Sequence, residues 1–254
     1  MDNYNQNSFN PNQWNSSGVS STDVAVKTFM TNVFAWMFGA LLITAATAFA
    51  FSHIPALTGL LFNTYQTANG VAMGLSGLGM AVMISPLIFV LVMSFGFNKL
   101  SVPALVGIFL LYAATTGASL STIFFRYDLP VLAASFAITA GMFGTMAFMG
   151  FVTKADLSKF GAIMWMGFIG ILIASIVNFF LHSAGLDYLI SFVGVAVFTG
   201  LTAWDVQRLK QIGAGVTYGG GSAIKLSIMG ALRLYLDFLN LFLFILRLMG
   251  GNRR

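Results

Sequence analysis

The sequence predicts an all-α membrane protein, a bundle of seven transmembrane helices with the last helix central. Three observations carry this. Hydrophobic residues make up 58% of the chain and charged residues 7%, where a soluble domain carries about 25% charged residues. Apolar stretches near the length of about 20 residues that a helix needs to cross a bilayer recur seven times. The last of them alone carries a continuous polar stripe, which a membrane helix turns toward its neighbours.

The spans read in order. Residues 33–52 supply the first and 71–97 the second, where Pro86 is placed to kink the helix; neighbouring helices can re-satisfy the freed carbonyl. Residues 102–125, 129–152, 160–181, 188–204 and 226–249 supply the rest. The connections are short except 54–70 and the glycine-rich 211–225. Pairs such as Gly74 with Gly77, Gly141 with Gly144 and Gly167 with Gly170 are candidates for close helix approach. Residues 1–22 are rich in Asn, Gln and Ser and lack Lys and Arg, so they read neither as a signal peptide nor as a segment able to bury a core. The chain divides into a disordered polar tail at 1–24 and a seven-helix transmembrane domain at 25–254.

Charge placement predicts orientation. With the N-terminus in the cytoplasm, the inside holds Lys27, Lys99, Lys154, Lys159, Arg208, Lys210 and Lys225, and the outer loops hold Arg126. That bias follows the positive-inside rule. Arg247, Arg253 and Arg254 end outside after seven crossings, and a re-entrant last segment would return them to the inside. The expected location is a membrane crossed several times, with the N-terminus in the cytoplasm. The spread of Lys and Arg between apolar blocks argues against a nucleic-acid partner. The absence of cysteine excludes disulfides and thiolate metal sites.

The informative residues are intramembrane charges, which insertion scales price at roughly 2.5–3.5 kcal/mol each and which are functional suspects by default. Asp205 ends the sixth span in Thr-Ala-Trp-Asp-Val-Gln, and Asp237 lies midway along the seventh in Leu-Tyr-Leu-Asp-Phe-Leu-Asn. Arg233 precedes Asp237 by one helical turn, within reach of an i,i+4 ion pair. Gly230, Arg233, Asp237, Asn240 and Arg247 form the polar stripe. The third span presents Tyr112, Thr115, Thr116, Ser119 and Thr122, which either line a pathway or bond their own backbone.

Three segments in order carry a resemblance: Thr-Lys-Ala-Asp-Leu-Ser-Lys-Phe-Gly at 153–161, Phe-Thr-Gly-Leu-Thr-Ala-Trp-Asp-Val-Gln at 198–207 and Leu-Tyr-Leu-Asp-Phe-Leu-Asn-Leu-Phe at 234–242. The chain from about residue 29 to 249 resembles the transmembrane Bax inhibitor motif (Bax inhibitor-1) family, in its bacterial form. The resemblance implies a seven-helix bundle with a central last helix, located in the inner (plasma) membrane of a bacterium, and a pH-sensitive calcium leak channel or cation/proton exchanger. It also implies an Asp pair on the sixth and seventh helices as proton sensor, here Asp205 and Asp237, with Arg233 and Asn240 beside them. Trp204 stands where tyrosine is common in the family. Basic residues on early helices, which steady the closed state in some relatives, have no counterpart in the first two spans.

Physical chemistry supports such a pair by itself. Two carboxylates in a low-dielectric site cannot both ionise cheaply and titrate as a coupled unit. A shared proton holds the two helices together; full ionisation drives them apart and attracts a hard, oxygen-seeking cation. Good calcium sites take about 6–8 oxygens, so Asp205 and Asp237 would hold calcium weakly, as a transported ion and not as a cofactor. Depth is the difficulty. Asp237 lies about 18 Å along a helix from Lys225, and Asp205 only about 8 Å from Lys210. The two meet only if the last helix enters the membrane late, near Gly230, or if water reaches inward; otherwise Asp237 pairs only with Arg233 and Asp205 faces interfacial water.

Enzymatic readings fit poorly. An intramembrane aspartyl protease carries Gly-x-Gly-Asp where this chain has Leu-Tyr-Leu-Asp, and the two histidines, His53 and His182, fall at predicted helix ends. The 213–221 glycines lack the Gly-Lys-Ser/Thr ending of a phosphate loop. The expected partners are the lipid bilayer, calcium ions and protons. The competing reading is a membrane interaction protein that modulates a protease or a cell-death or stress factor, with ion flux secondary.

Overall fold

A computed structural model describes residues 21–67, 70–216 and 221–251. Its elements are α1 (Ser21–His53), α2 (Pro55–Leu61), β1 (Phe62–Thr67), β2 (Gly70–Leu75), α3 (Gly77–Gly96), α4 (Val102–Leu120), α5 (Thr122–Arg126), α6 (Leu129–Val152), α7 (Ser158–Leu181), α8 (Ala184–Gly215) and α9 (Gly221–Gly250). Seven segments are long and apolar enough to cross a membrane: α1, α3, α4 with α5, α6, α7, α8 and α9. The fold is an all-α membrane bundle.

Local chemistry sets the helix boundaries. Ser76, Ser101 and Ser183 cap α3, α4 and α8, each side chain accepting a hydrogen bond from a backbone N–H three residues on. Pro103 and Pro130 sit in the first turns of α4 and α6, where a missing N–H does no harm. His182 closes α7 in the left-handed region at φ 52°. Pro86 lies inside α3.

Several boundaries differ from the apolar windows. The first helix begins at Ser21, so residues 21–24, assigned above to the tail, are helical; residues 1–20 lie outside the described residues. The 54–70 connection is not a plain loop. It holds α2 and, with residues up to Leu75, an antiparallel hairpin that pairs Phe62 with Leu75 and Gln66 with Val71, which removes 71–75 from the second span. The sixth helix spans 32 residues and the seventh 30. Most of the supposed glycine-rich connector is therefore helix, with 217–220 outside the described residues. Both helices are near 45 Å long, against a hydrocarbon core of about 30 Å. Hydropathy windows stop where polar residues start, but backbone hydrogen bonding does not. The last helix is unbroken and runs antiparallel to α8, so a re-entrant last segment is not seen.

α8 and α9 are the most buried spans, and α3 and α7 the most exposed. α9 packs on α8, α1, α6 and α4. Among the glycine pairs noted above, a Cβ at Gly77, Gly141, Gly144 or Gly170 would meet no neighbouring atom. Gly167 does come close to Val197 of α8, but two approaches nearer the acids matter more for the α8 contacts. A Cβ at Gly150 of α6 would collide with the carbonyl oxygen of Ala203 on α8, two residues before Asp205. One at Gly230 would come within 2.7 Å of Leu209.

Candidate functional site: the acidic pair of α8 and α9

Gly230 against Leu209 resolves the depth problem. It fixes the register of the antiparallel pair and leaves Lys225 well beyond the level of Lys210. In that register Asp205 stands opposite the turn between Arg233 and Asp237. The same register holds at the far end, where a Cβ at Gly194 would touch the ring of Phe244 at 2.7 Å.

Asp205 and Asp237 are 4% and 5% exposed, and both face one half-open cavity of about 450 Å³ between α3, α7, α8 and α9. Their carboxyl groups lie within side-chain reach of each other. Arg233 donates from Nη1 to Oδ1 of Asp205 at 3.1 Å. The i,i+4 pairing of Arg233 with Asp237 expected above is thus replaced by a contact between helices. In the α8–α9 register Arg233 stands level with Asp205, within 3.1 Å of its carboxylate. Asp205 does not face open water either. Oδ2 of Asp237 is buried without a hydrogen-bond partner. An acceptor oxygen left so, beside a second carboxyl, is the arrangement that one shared proton satisfies.

The remaining candidates separate. Asn240 lines the cavity, one turn beyond Asp237, and donates from Nδ2 to its own helix at the Leu236 carbonyl, 2.8 Å away. Tyr112, Thr115 and Ser119 do not line the cavity. Tyr112 is buried, its ring edge-on to Tyr235 at 5.3 Å between centroids. Thr115 and Ser119 bond the carbonyls of Leu111 and Thr116 in their own helix. On the far side of α9, Tyr235 shares a 2.7 Å hydrogen bond with Thr44.

Two features escape sequence reading. Gln207, two residues after Asp205, grips the 153–157 connection. Its Nε2 donates to the Ala155 carbonyl at 2.7 Å, and its Oε1 accepts from the Leu157 N–H at 2.9 Å. Beside it, Asp156 accepts from Ser158, and these hydrogen bonds hold its carboxyl below the usual range. At the opposite end of the interface, Arg247 donates to Asp187 at 3.1 Å. Both residues were visible in the sequence; their partners lie 50–60 residues away, and no local spacing signals that.

No cluster of three or more His, Asp or Glu side chains occurs among the described residues. Asp205 and Asp237 are the carboxylates that line this cavity, with the neutral side chains of Ser94 and Asn240 beside them.

Comparisons with known proteins agree with this architecture. The family model described as inhibitor of apoptosis-promoting Bax1 matches residues 26–254. An Escherichia coli protein named inner membrane protein YbhL is 42% identical over 229 residues, covering 90% of this chain and 93% of that protein. Uncharacterised proteins of Borreliella burgdorferi and Caulobacter vibrioides are 39% and 37% identical, over 89% and 92% of this chain and 92% of each relative. A match spanning all seven helices and both Asp motifs settles the affiliation: the chain belongs to the Bax inhibitor-1 family of multi-pass membrane proteins.

Proposed function

We propose that the protein is a pH-sensitive leak for calcium in a bacterial inner membrane, gated by Asp205 and Asp237. The observation that carries this is the buried, partnerless Oδ2 of Asp237 beside the Asp205 carboxyl. With one proton between them, the two carboxyls bond and hold α8 to α9. Loss of that proton places two negative charges in a low-dielectric cavity, where repulsion biases the helices apart. The opened site offers oxygens to a hard cation, too few to trap it, and a leak requires that the ion also leave. Arg233 offsets part of the repulsion through Asp205. The protein performs no covalent chemistry in this reading.

The location follows the inner-membrane relative, and the orientation follows the charges. Lys99, Lys154, Lys159, Arg208, Lys210 and Lys225 all lie at the end of the bundle where α8 stops and α9 starts. That basic end faces the cytoplasm. The chain lacks cysteine, so Ser222→Cys gives a single label site. An impermeant thiol reagent should leave it unmodified in intact cells; labelling from outside would invert the topology.

The test of function is calcium entry into liposomes that hold the purified protein and an internal indicator, followed across neutral pH. Flux should rise as pH rises. A protein that passes no calcium at any pH would instead favour the interaction-protein reading.

A further inference from the structure

We propose that the cavity beside the acidic pair is a lipid site, which takes the phosphate of an anionic phospholipid on Arg208 and an acyl chain between α3 and α7. The proposal does not depend on calcium flux. It rests on how charge and apolar surface are divided along one cavity.

The walls come first. α3 and α7 flank the cavity without forming a packed interface with each other, and both are mostly exposed along their spans. The gap between them therefore faces the acyl region of the bilayer. Val90 of α3 with Trp165 and Phe168 of α7 supply its sides, and Phe198 and Leu201 of α8 part of its floor. A cavity of about 450 Å³ is of ligand-site size. It has room for a headgroup and part of one chain, with the rest of the chain left in the bilayer.

The charges come next. Arg233 is already paired with Asp205. Arg208 is exposed at the basic end of the same cavity and has no carboxylate within salt-bridge distance among the described residues. Its guanidinium lies over the Trp204 ring at 5.4 Å, which holds the fork in place. Lys225 stands farther out at the same basic end, its Nζ 3.5 Å from the Phe97 carbonyl at the end of α3. A guanidinium without a salt bridge thus stands at the basic end of an apolar cleft, with a lysine beyond it. Basic pockets between membrane helices recruit acidic headgroups for this reason, and guanidinium matches phosphate geometry with paired donors. A zwitterionic headgroup would bring its own cation against Arg208. A second copy has little to offer: besides the pair, the described acids at this end are Asp23 and Asp156.

The experiment uses the full chain in nanodiscs with phospholipids brominated on the acyl chains, whose bromine quenches nearby tryptophan. Brominated phosphatidylglycerol should quench more than brominated phosphatidylcholine at equal mole fraction. The excess should fall away in Trp165→Phe, which removes the reporter in the cavity wall. Arg208→Gln should lose the headgroup preference, and Arg208→Lys should keep part of it. Equal quenching by the two lipids in the parent chain overturns the proposal whether or not the variants fold. So does a preference that survives Arg208→Gln, or quenching that follows the protein-to-lipid ratio instead of the headgroup, which would put a second copy in the cleft.

Discussion

The α8–α9 interface is closed by two ion pairs of equal length and unequal surroundings. Arg233–Asp205 and Arg247–Asp187 are both 3.1 Å, but the Asp205 side chain is 6% exposed while Asp187 and Arg247 are each 43% exposed. Solvent screens the second pair, and exposed pairs of this kind contribute about 0–1 kcal/mol. The first is part-exposed to the cavity on the arginine side and shut away on the carboxylate side, and it adjoins a second carboxyl. Distance alone would rank the two pairs as equals. Burial makes one a candidate switch and the other a surface fastening.

The largest effects should come from the buried end. Asp205→Asn or Asp237→Asn should flatten the pH dependence of calcium flux, because one ionisable group leaves no mutual repulsion to relieve. The amide still hydrogen-bonds, so basal flux stays low. Asp205→Ala or Asp237→Ala removes that bond too and should raise basal leak. If both Asn variants kept the parent's pH curve, the pair would not be the sensor.

Arg233→Gln comes next. A positive neighbour favours the ionised pair, so its loss should move the flux midpoint to higher pH. Stability, read by thermal unfolding in detergent, should fall by less than the about 3–5 kcal/mol of a fully buried broken pair, since the Arg233 side chain is 38% exposed. An unmoved midpoint would show that the contact is structural only.

Gln207→Ala should fall between the two ends of the comparison. It strips two hydrogen bonds from the 155–157 backbone at once, with an expected loss of about 1–3 kcal/mol. Proteolysis of that connection should speed up in the variant; an unchanged cleavage rate would mean that the amide grip is dispensable.

The smallest effect belongs to the exposed end. Asp187→Asn and Arg247→Gln should leave the pH curve in place and shift stability by no more than about 1 kcal/mol. A pH midpoint that moved with either would erase the contrast between the two pairs.

How much of this the sequence discloses depends on the range of the interaction. The seven spans and the two acids are legible, because hydropathy and the cost of an intramembrane charge are properties of the residue itself. The stripe of Gly230, Arg233, Asp237 and Asn240 is legible because a helix repeats. What repeats cannot tell is which helix stands opposite. Arg233 looks committed to Asp237 until α8 brings Asp205 alongside. The same limit hides the tight glycines. Gly117, Gly150 and Gly230 are among those that make close approaches, while the regularly spaced Gly141 and Gly144 meet nothing. Glycine spacing marks a face, and only the neighbour decides whether that face is used. The hairpin of β1 and β2 went unread for a different reason: its second strand, Gly-Val-Ala-Met-Gly-Leu, is apolar enough to be counted into the span that follows.

The Gln207 grip has a mechanical consequence. A side-chain amide that binds the loop through both its oxygen and its nitrogen transmits pull and push alike. It does so from a position half a helical turn from Asp205. The 153–157 connection thus behaves as a handle fixed to the shaft that carries the carboxylate. A soluble binder that clasped Ala155 to Leu157 would load α8 directly, and could hold the pair shut or prise it open without entering the membrane.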